Sequence, residues 1–142
     1  MTHTMTSDEW HAFLSAGTRT AKLSTVSADG SPHVAPVWFV LDGDDIVFNT
    51  GADRVKGRNI ARDPRIALCV DDERPPFAFA LVRGRAETTT DPDELRTWAT
   101  RIAARYVGED LAEQYGIRNS GVGEIVARLR VDRITAVGGV AD

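Results

Sequence analysis

Thr20-Ala21-Lys22-Leu23-Ser24-Thr25-Val26-Ser27-Ala28-Asp29-Gly30-Ser31-Pro32-His33-Val34-Ala35-Pro36-Val37-Trp38-Phe39-Val40-Leu41 is the stretch on which the fold turns. Residues 20–27 read as a strand, and Asp29-Gly30 between two strand-like runs is a strong hairpin signal. The return strand, 33–41, is rich in Val, Trp and Phe. Pro36 inside it has no amide to give a ladder, which predicts an edge strand or a bulge where pairing opens. Asp42-Gly43-Asp44-Asp45 makes a second tight turn into a strand over 46–50, so the two turns predict a three-stranded antiparallel meander.

Upstream, Ser7 is a plausible N-cap, Asp8 and Glu9 suit the positive end of a helix dipole, and Gly17 sits where a C′ glycine belongs. Trp10, Phe13 and Leu14 share one face, so this helix should lie on the strands as a lid. Downstream, Asp53 caps a short helix over 54–62 that Asp63-Pro64 ends. Strands follow over 65–70 and 77–88, the second bent at Gly84. Asp91, Pro92 and Glu94 then start the clearest helix. Its apolar stripe is Leu95, Trp98, Ala99, Ile102, Ala103 and Tyr106. A further helical stretch over 109–115 precedes a final strand over 124–137, in which Ile125, Ala127, Leu129 and Val131 alternate with polar residues. Six strands, few short helices and no βαβ rhythm predict a mainly β protein, a six-stranded antiparallel barrel with short peripheral helices.

A length of 142 residues fits one domain. It divides into an N-terminal helix (1–18), barrel strands with a short helix (19–89), helices (90–118) and the final strand (124–140). Apolar content of 42% and charged content of 27% are ordinary for a globular protein. A net charge of −4 argues against nucleic acid or an acidic membrane surface as partner. The longest apolar run, 34–41, is too short to span a bilayer, and the N-terminus lacks a secretory signal pattern, so the expected location is the cytoplasm. The lone cysteine, Cys69, sits in an apolar run and reads as a buried core thiol. His3, His11 and His33 lie on different elements without metal-ligand spacing, and His33 reads as a satisfied polar residue.

One local patch breaks the acidic balance: Gly51-Ala52-Asp53-Arg54-Val55-Lys56-Gly57-Arg58-Asn59. Taken alone, such a charge run is more often a solvated turn. Yet three cations at a helix start, directly after a strand, could hold a phosphate with side chains and unpaired amides together. Gly51 and Gly57 would permit close backbone approach. Pro36-Val37-Trp38 and Phe77-Ala78-Phe79 are aromatic segments that serve equally as core or as an apolar wall for a flat ring. No side chain stands out as a general acid or base, which is compatible with a cofactor that carries the chemistry itself.

These residues resemble a known family. The order of Ala21-Lys22-Leu23-Ser24-Thr25-Val26, Asp29-Gly30-Ser31-Pro32-His33, Asn49-Thr50-Gly51, Arg54-Val55-Lys56-Gly57-Arg58-Asn59-Ile60 and Arg62-Asp63-Pro64-Arg65 is similar to the pyridoxamine 5′-phosphate oxidase-like split-barrel superfamily. Within it, the sequence resembles the actinobacterial F420-dependent reductase branch of flavin/deazaflavin oxidoreductases. The resemblance implies an FMN-binding type of split β-barrel and a homodimer with cofactor sites at the interface. It implies coenzyme F420 as cofactor, with FMN as the alternative. Arg54, Val55, Lys56, Arg58 and Asn59 fall where such proteins hold the phosphate segment. Pro36, Val37 and Trp38 match the strand lining the ring, Thr50 ends its neighbour, and Phe77 with Phe79 would reach across the interface. The implied activity is hydride transfer from C5 of reduced F420 to a small unsaturated acceptor: an enone, quinone or tetrapyrrole. The other readings are an FMN oxidoreductase and a flavin- or haem-binding protein without turnover. The arginine-containing C-terminal motif of true pyridoxamine 5′-phosphate oxidases is not apparent in 124–142, so vitamin B6 oxidation is not expected. Nor does the chain carry the longer N-terminal extension of the nitroreductase-type F420 branch.

Overall fold

The computed structural model describes residues Met1–Asp142. In chain order the elements are β1 (His3–Thr4), α1 (Ser7–Ser15), β2 (Ala21–Val26), β3 (Pro32–Val37), β4 (Phe39–Asp42), β5 (Asp45–Gly51), α2 (Val55–Arg62), β6 (Arg65–Asp72), β7 (Ala78–Thr89), α3 (Pro92–Val107), α4 (Glu109–Arg118) and β8 (Glu124–Gly138). The strands form one sheet in the order β3-β2-β6-β7-β8-β5-β4, with β1 paired to β8. Every pairing is antiparallel.

The strand order shows why the sheet closes. Its two edges, β3 and β4, are consecutive in sequence and separated only by Trp38. A chain cannot reach from one edge of a flat seven-strand sheet to the other in one residue, so the sheet must curl until its edges meet. The mainly β, antiparallel split barrel expected from the sequence is therefore present. It has eight strands rather than six, because the expected strand 33–41 is two strands and His3–Thr4 adds a short one. The expected meander is corrected accordingly: β3 pairs with β2, while β4 pairs with β5. Pro36 does lie on an edge strand, opposite Lys22, but the ladder opens two residues later, at Trp38.

Alternation sorts side chains between the barrel interior and its outside. Leu23, Phe39, Phe48, Leu68, Val82 and Leu129 fill the interior. β5 is buried on both faces, since Val47 packs outside with Leu95, Trp98 and Val126 beneath α3. The same parity places Cys69 outward, between inward Leu68 and Val70, so it is half-exposed rather than core. Burial and then Asp71 push its thiol pKa up, away from a reactive thiolate. Gly84 marks the expected bulge: the β7–β8 register shifts between Arg83 and Gly84, and a Cβ there would collide with the Arg130 carbonyl. Phe77 falls just outside β7, with a left-handed φ of 65°. No helix is long and apolar enough to cross a membrane.

Helix starts differ in one respect that matters below. Thr6, not Ser7, caps α1 and forms a capping box with Glu9, and Asp91 caps α3 as expected. Arg54, not Asp53, is the N-cap of α2, and no side chain caps that helix.

Candidate functional site

The break at Trp38 builds one wall of a depression. Its other walls come from the end of β5, the start of α2 and the chain from α4 into β8. Pro36, Val37, Trp38, Thr50 and Lys56 line it, together with Asn49, Asn119 and Glu124, around a volume of about 260 Å³. Five of the eleven expected site residues thus meet in one place. The strand break is held open by Tyr106 of α3. Its hydroxyl accepts a hydrogen bond from the Phe39 amide at 3.3 Å and donates to the Arg19 carbonyl at 2.8 Å. Its ring stacks on the Trp38 indole, 5.0 Å between centroids and 2° from parallel.

The wall opposite is tied by two contacts. Asn49 Nδ2 donates to the Asn119 carbonyl at 3.4 Å, and the Ala52 amide donates to the Gly123 carbonyl at 2.8 Å. Arg54 lines an adjoining depression with Gly51, Ala52, Asp53, Val122, Gly123 and Glu124. Glu124 belongs to both depressions. Burial holds its carboxyl above the usual carboxylate range, with Arg54 partly offsetting that effect.

The cations of the basic segment have no carboxylate partner. None of the chain's ion pairs uses Arg54, Lys56 or Arg58. The Arg54 amide bonds to the Gly51 carbonyl and the Arg58 amide begins the helical ladder, which leaves the amides of Val55, Lys56 and Gly57 without acceptors. A larger groove of about 550 Å³, lined by Arg19, Lys22, Arg74, Asp71, Asp72 and Glu73, contrasts with this. Its cations are already paired with its carboxylates.

The remaining expected residues are dispersed. Val55 is exposed at the start of α2. Arg58 donates to the Asp53 carbonyl and so braces the loop before the helix. Asn59 faces inward and is buried: its amide donates to Thr25 Oγ1 at 2.9 Å and its oxygen accepts from Arg62 at 2.8 Å. It fastens α2 to β2 and is not a lining residue. Gly57 serves packing, since a Cβ there would run into the Gly51 carbonyl. Phe77, just before β7, and Phe79, within it, lie outside the depression. His33, expected to be satisfied, has a buried Nδ1 without a partner.

Sequence reasoning missed Asn49, Asn119, Glu124 and Tyr106. Only Glu124 carried a local signal, a charged residue opening a half-buried strand. The others are assembled by pairings distant in sequence.

Comparison with known proteins adds the following. The family model described as pyridoxamine 5′-phosphate oxidase matches residues 6–136. No curated protein matches the chain. Among solved structures, a conserved hypothetical protein from Mycobacterium tuberculosis is 26% identical with a TM-score of 0.79, the match covering 93% of this chain and 84% of that one. An F420 reductase is 28% identical with a TM-score of 0.69, covering 87% of this chain and 94% of its own. An FAD-binding protein from Mesorhizobium loti shares the fold at 17% identity and a TM-score of 0.69, covering 96% and 97%.

Proposed function

The chain belongs to the pyridoxamine 5′-phosphate oxidase family, and within it we propose that the protein is an F420-dependent reductase acting on a small unsaturated acceptor. Family membership makes it a split barrel of a flavin-binding, oxidoreductase kind. The observation that carries the finer reading is the meeting of Pro36, Val37, Trp38 and Thr50 with Lys56 at the uncapped start of α2. A planar ring needs an apolar wall and backbone partners, and a phosphate needs free donors and uncompensated cations. The apolar wall and Lys56 share one depression, and Arg54 lines the one adjoining it. The 28% identity to an F420 reductase supports the deazaflavin over FMN.

In this reading Lys56 and Arg54 hold the phosphate with the open amides of Val55, Lys56 and Gly57. Pro36, Val37 and the stacked Trp38 orient the ring and exclude water from one face. Bound reduced F420 supplies hydride chemistry, and the chain contributes placement of the acceptor over the ring. The location expected for such a protein is the cytoplasm.

The depression on one chain, about 260 Å³, is smaller than the ~300–1,000 Å³ of complete small-molecule sites. This supports a homodimer in which a second copy completes it. The face available for pairing is the outside of β3, β2, β6 and β7, where helices make no substantial cover. There the ladder aligns Val34 with Ser24 and Ala67, and Pro36 with Lys22, Cys69 and Leu81. Phe77 and Phe79 lie beside this face and would supply the partner's contribution.

The test is titration of the protein with F420, followed by fluorescence. Each charge-assisted contact is worth about 1.5–3 kcal/mol, so Arg54→Ala with Lys56→Ala should weaken binding by roughly a hundred-fold or more. Unchanged affinity in that double variant would reject the phosphate site.

A further inference from the structure

Trp38 joins the two edges of the barrel and belongs to neither ladder: the pairing of β3 with β2 ends at Val37, and that of β4 with β5 begins at Phe39. We propose that Tyr106, on α3, is a positioning residue for the ring site. It holds the Trp38 indole as a preformed platform and so raises affinity for a planar ring that it does not itself touch. The proposal rests on reading the depression of Pro36, Val37, Trp38 and Thr50 as the place of the cofactor ring.

Three observations carry it. First, the phenol and indole rings lie 5.0 Å apart between centroids and 2° from parallel. Contact across a ring face fixes the plane of the indole, which a residue outside both ladders cannot take from strand pairing. Second, Tyr106 is itself held to the scaffold. Its hydroxyl accepts from the Phe39 amide and donates to the Arg19 carbonyl, and the Arg105 guanidinium lies 5.0 Å from its ring centroid. Third, Trp38 lines the depression and Tyr106 does not. The phenol covers part of the indole, and the remainder is what a ligand meets. A ligand ring laid on a free indole must first stop its rotation, whereas an indole already held has lost that freedom.

Tyr106→Phe and Tyr106→Leu separate this role from a structural one. Both lose the hydroxyl and strand the same two backbone groups, but only Phe keeps the stack. In titrations of the full chain, Phe should bind F420 within about two-fold of the parent, and Leu about five- to ten-fold more weakly, the range that one aromatic stack supports. Trp38→Leu removes the platform itself. In that background Tyr106→Leu should weaken F420 no further, because a residue acting through another has no effect once the other is gone. Acrylamide quenching reads the platform without any cofactor. Trp10 and Trp98 are each only 8% exposed, so the accessible tryptophan emission belongs to Trp38. Leu should raise its quenching constant, and Phe should leave it as in the parent. Equal F420 affinity in the Phe and Leu variants, equal quenching in the two, or an undiminished effect of Tyr106→Leu in the Trp38→Leu background would each overturn the proposal while leaving the cofactor reading in place. A parent that binds FMN in place of F420 would overturn the cofactor assignment, and the Phe–Leu contrast read with FMN would still decide the role of Tyr106. A parent that binds neither would overturn both.

Discussion

Tyr106 answers a problem that the break at Trp38 creates. Where a strand leaves one ladder and joins another, a backbone amide loses its partner, and a buried amide without one costs about 1–3 kcal/mol. The Tyr106 hydroxyl takes the Phe39 amide and passes its own proton to the Arg19 carbonyl. Beside it, Arg105 donates to the Leu14 and Phe39 carbonyls, both at 2.7 Å, and to Gly17 at 3.0 Å, so one side chain closes the end of α1 against β4. Tyr106→Phe keeps the stack on Trp38 but strands both backbone groups. It should lower unfolding free energy by about 1–3 kcal/mol in urea titration, and no change would mean that water replaces the hydroxyl. Two carboxylates are held furthest below their ordinary range. Hydrogen bonds from Arg65 hold Asp63 down to about 2, and those from Arg74 hold Asp72 down to about 2, below an ordinary value of about 3.9. Their folded forms prefer the charged state, so the stability they add is complete above pH ~4 and is lost as pH falls from there towards 2. In Asp63→Asn with Asp72→Asn, the urea midpoint should fall less between pH 7 and pH 3 than in the parent; an equal fall would contradict this.

Helix α2 is seated by a residue that has no side chain. Gly57 faces the Gly51 carbonyl so closely that any Cβ would collide, and the buried Asn59–Thr25 bond fixes the same helix to β2. Gly57→Ala should therefore destabilise the protein by about 1–3 kcal/mol, the cost of overpacking, and should weaken F420 binding as well by shifting Lys56. Destabilisation with unchanged F420 affinity would show that the helix start is not the phosphate site. At this scale much was legible. Hairpin glycines, the Gly84 bulge, the Asp91 cap and the α3 stripe are local signals, and the structure places each as expected. What could not be read was parity and partnership. Whether Cys69 faces in or out depends on a one-residue phase, and whether 33–41 is one strand or two depends on which edges it meets. The basic segment was visible as composition. That Asn59 and Gly57 turn inward while Arg54 and Lys56 stay unpaired is a consequence of how α2 docks, and no spacing rule encodes it.

As a whole, the molecule leaves a broad sheet face without substantial helical cover and a depression of about 260 Å³. Under the proposed reading, both belong to a pair of copies. In sedimentation the mass should be twice 15.5 kDa. Phe77 is 40% exposed and contributes little to its own core, so Phe77→Arg should shift the equilibrium to monomer while preserving the fold. A parent that sediments as monomer at micromolar concentration would contradict the dimer. The central claim, however, concerns which cofactor the family's barrel holds here. Parallel fluorescence titrations of the purified chain with F420 and with FMN test it most directly. F420 should bind with low-micromolar affinity or better, as expected for a phosphate-bearing anion meeting several unpaired cations, and should bind more tightly than FMN. FMN binding more tightly than F420, or no saturable binding of F420, would contradict the account.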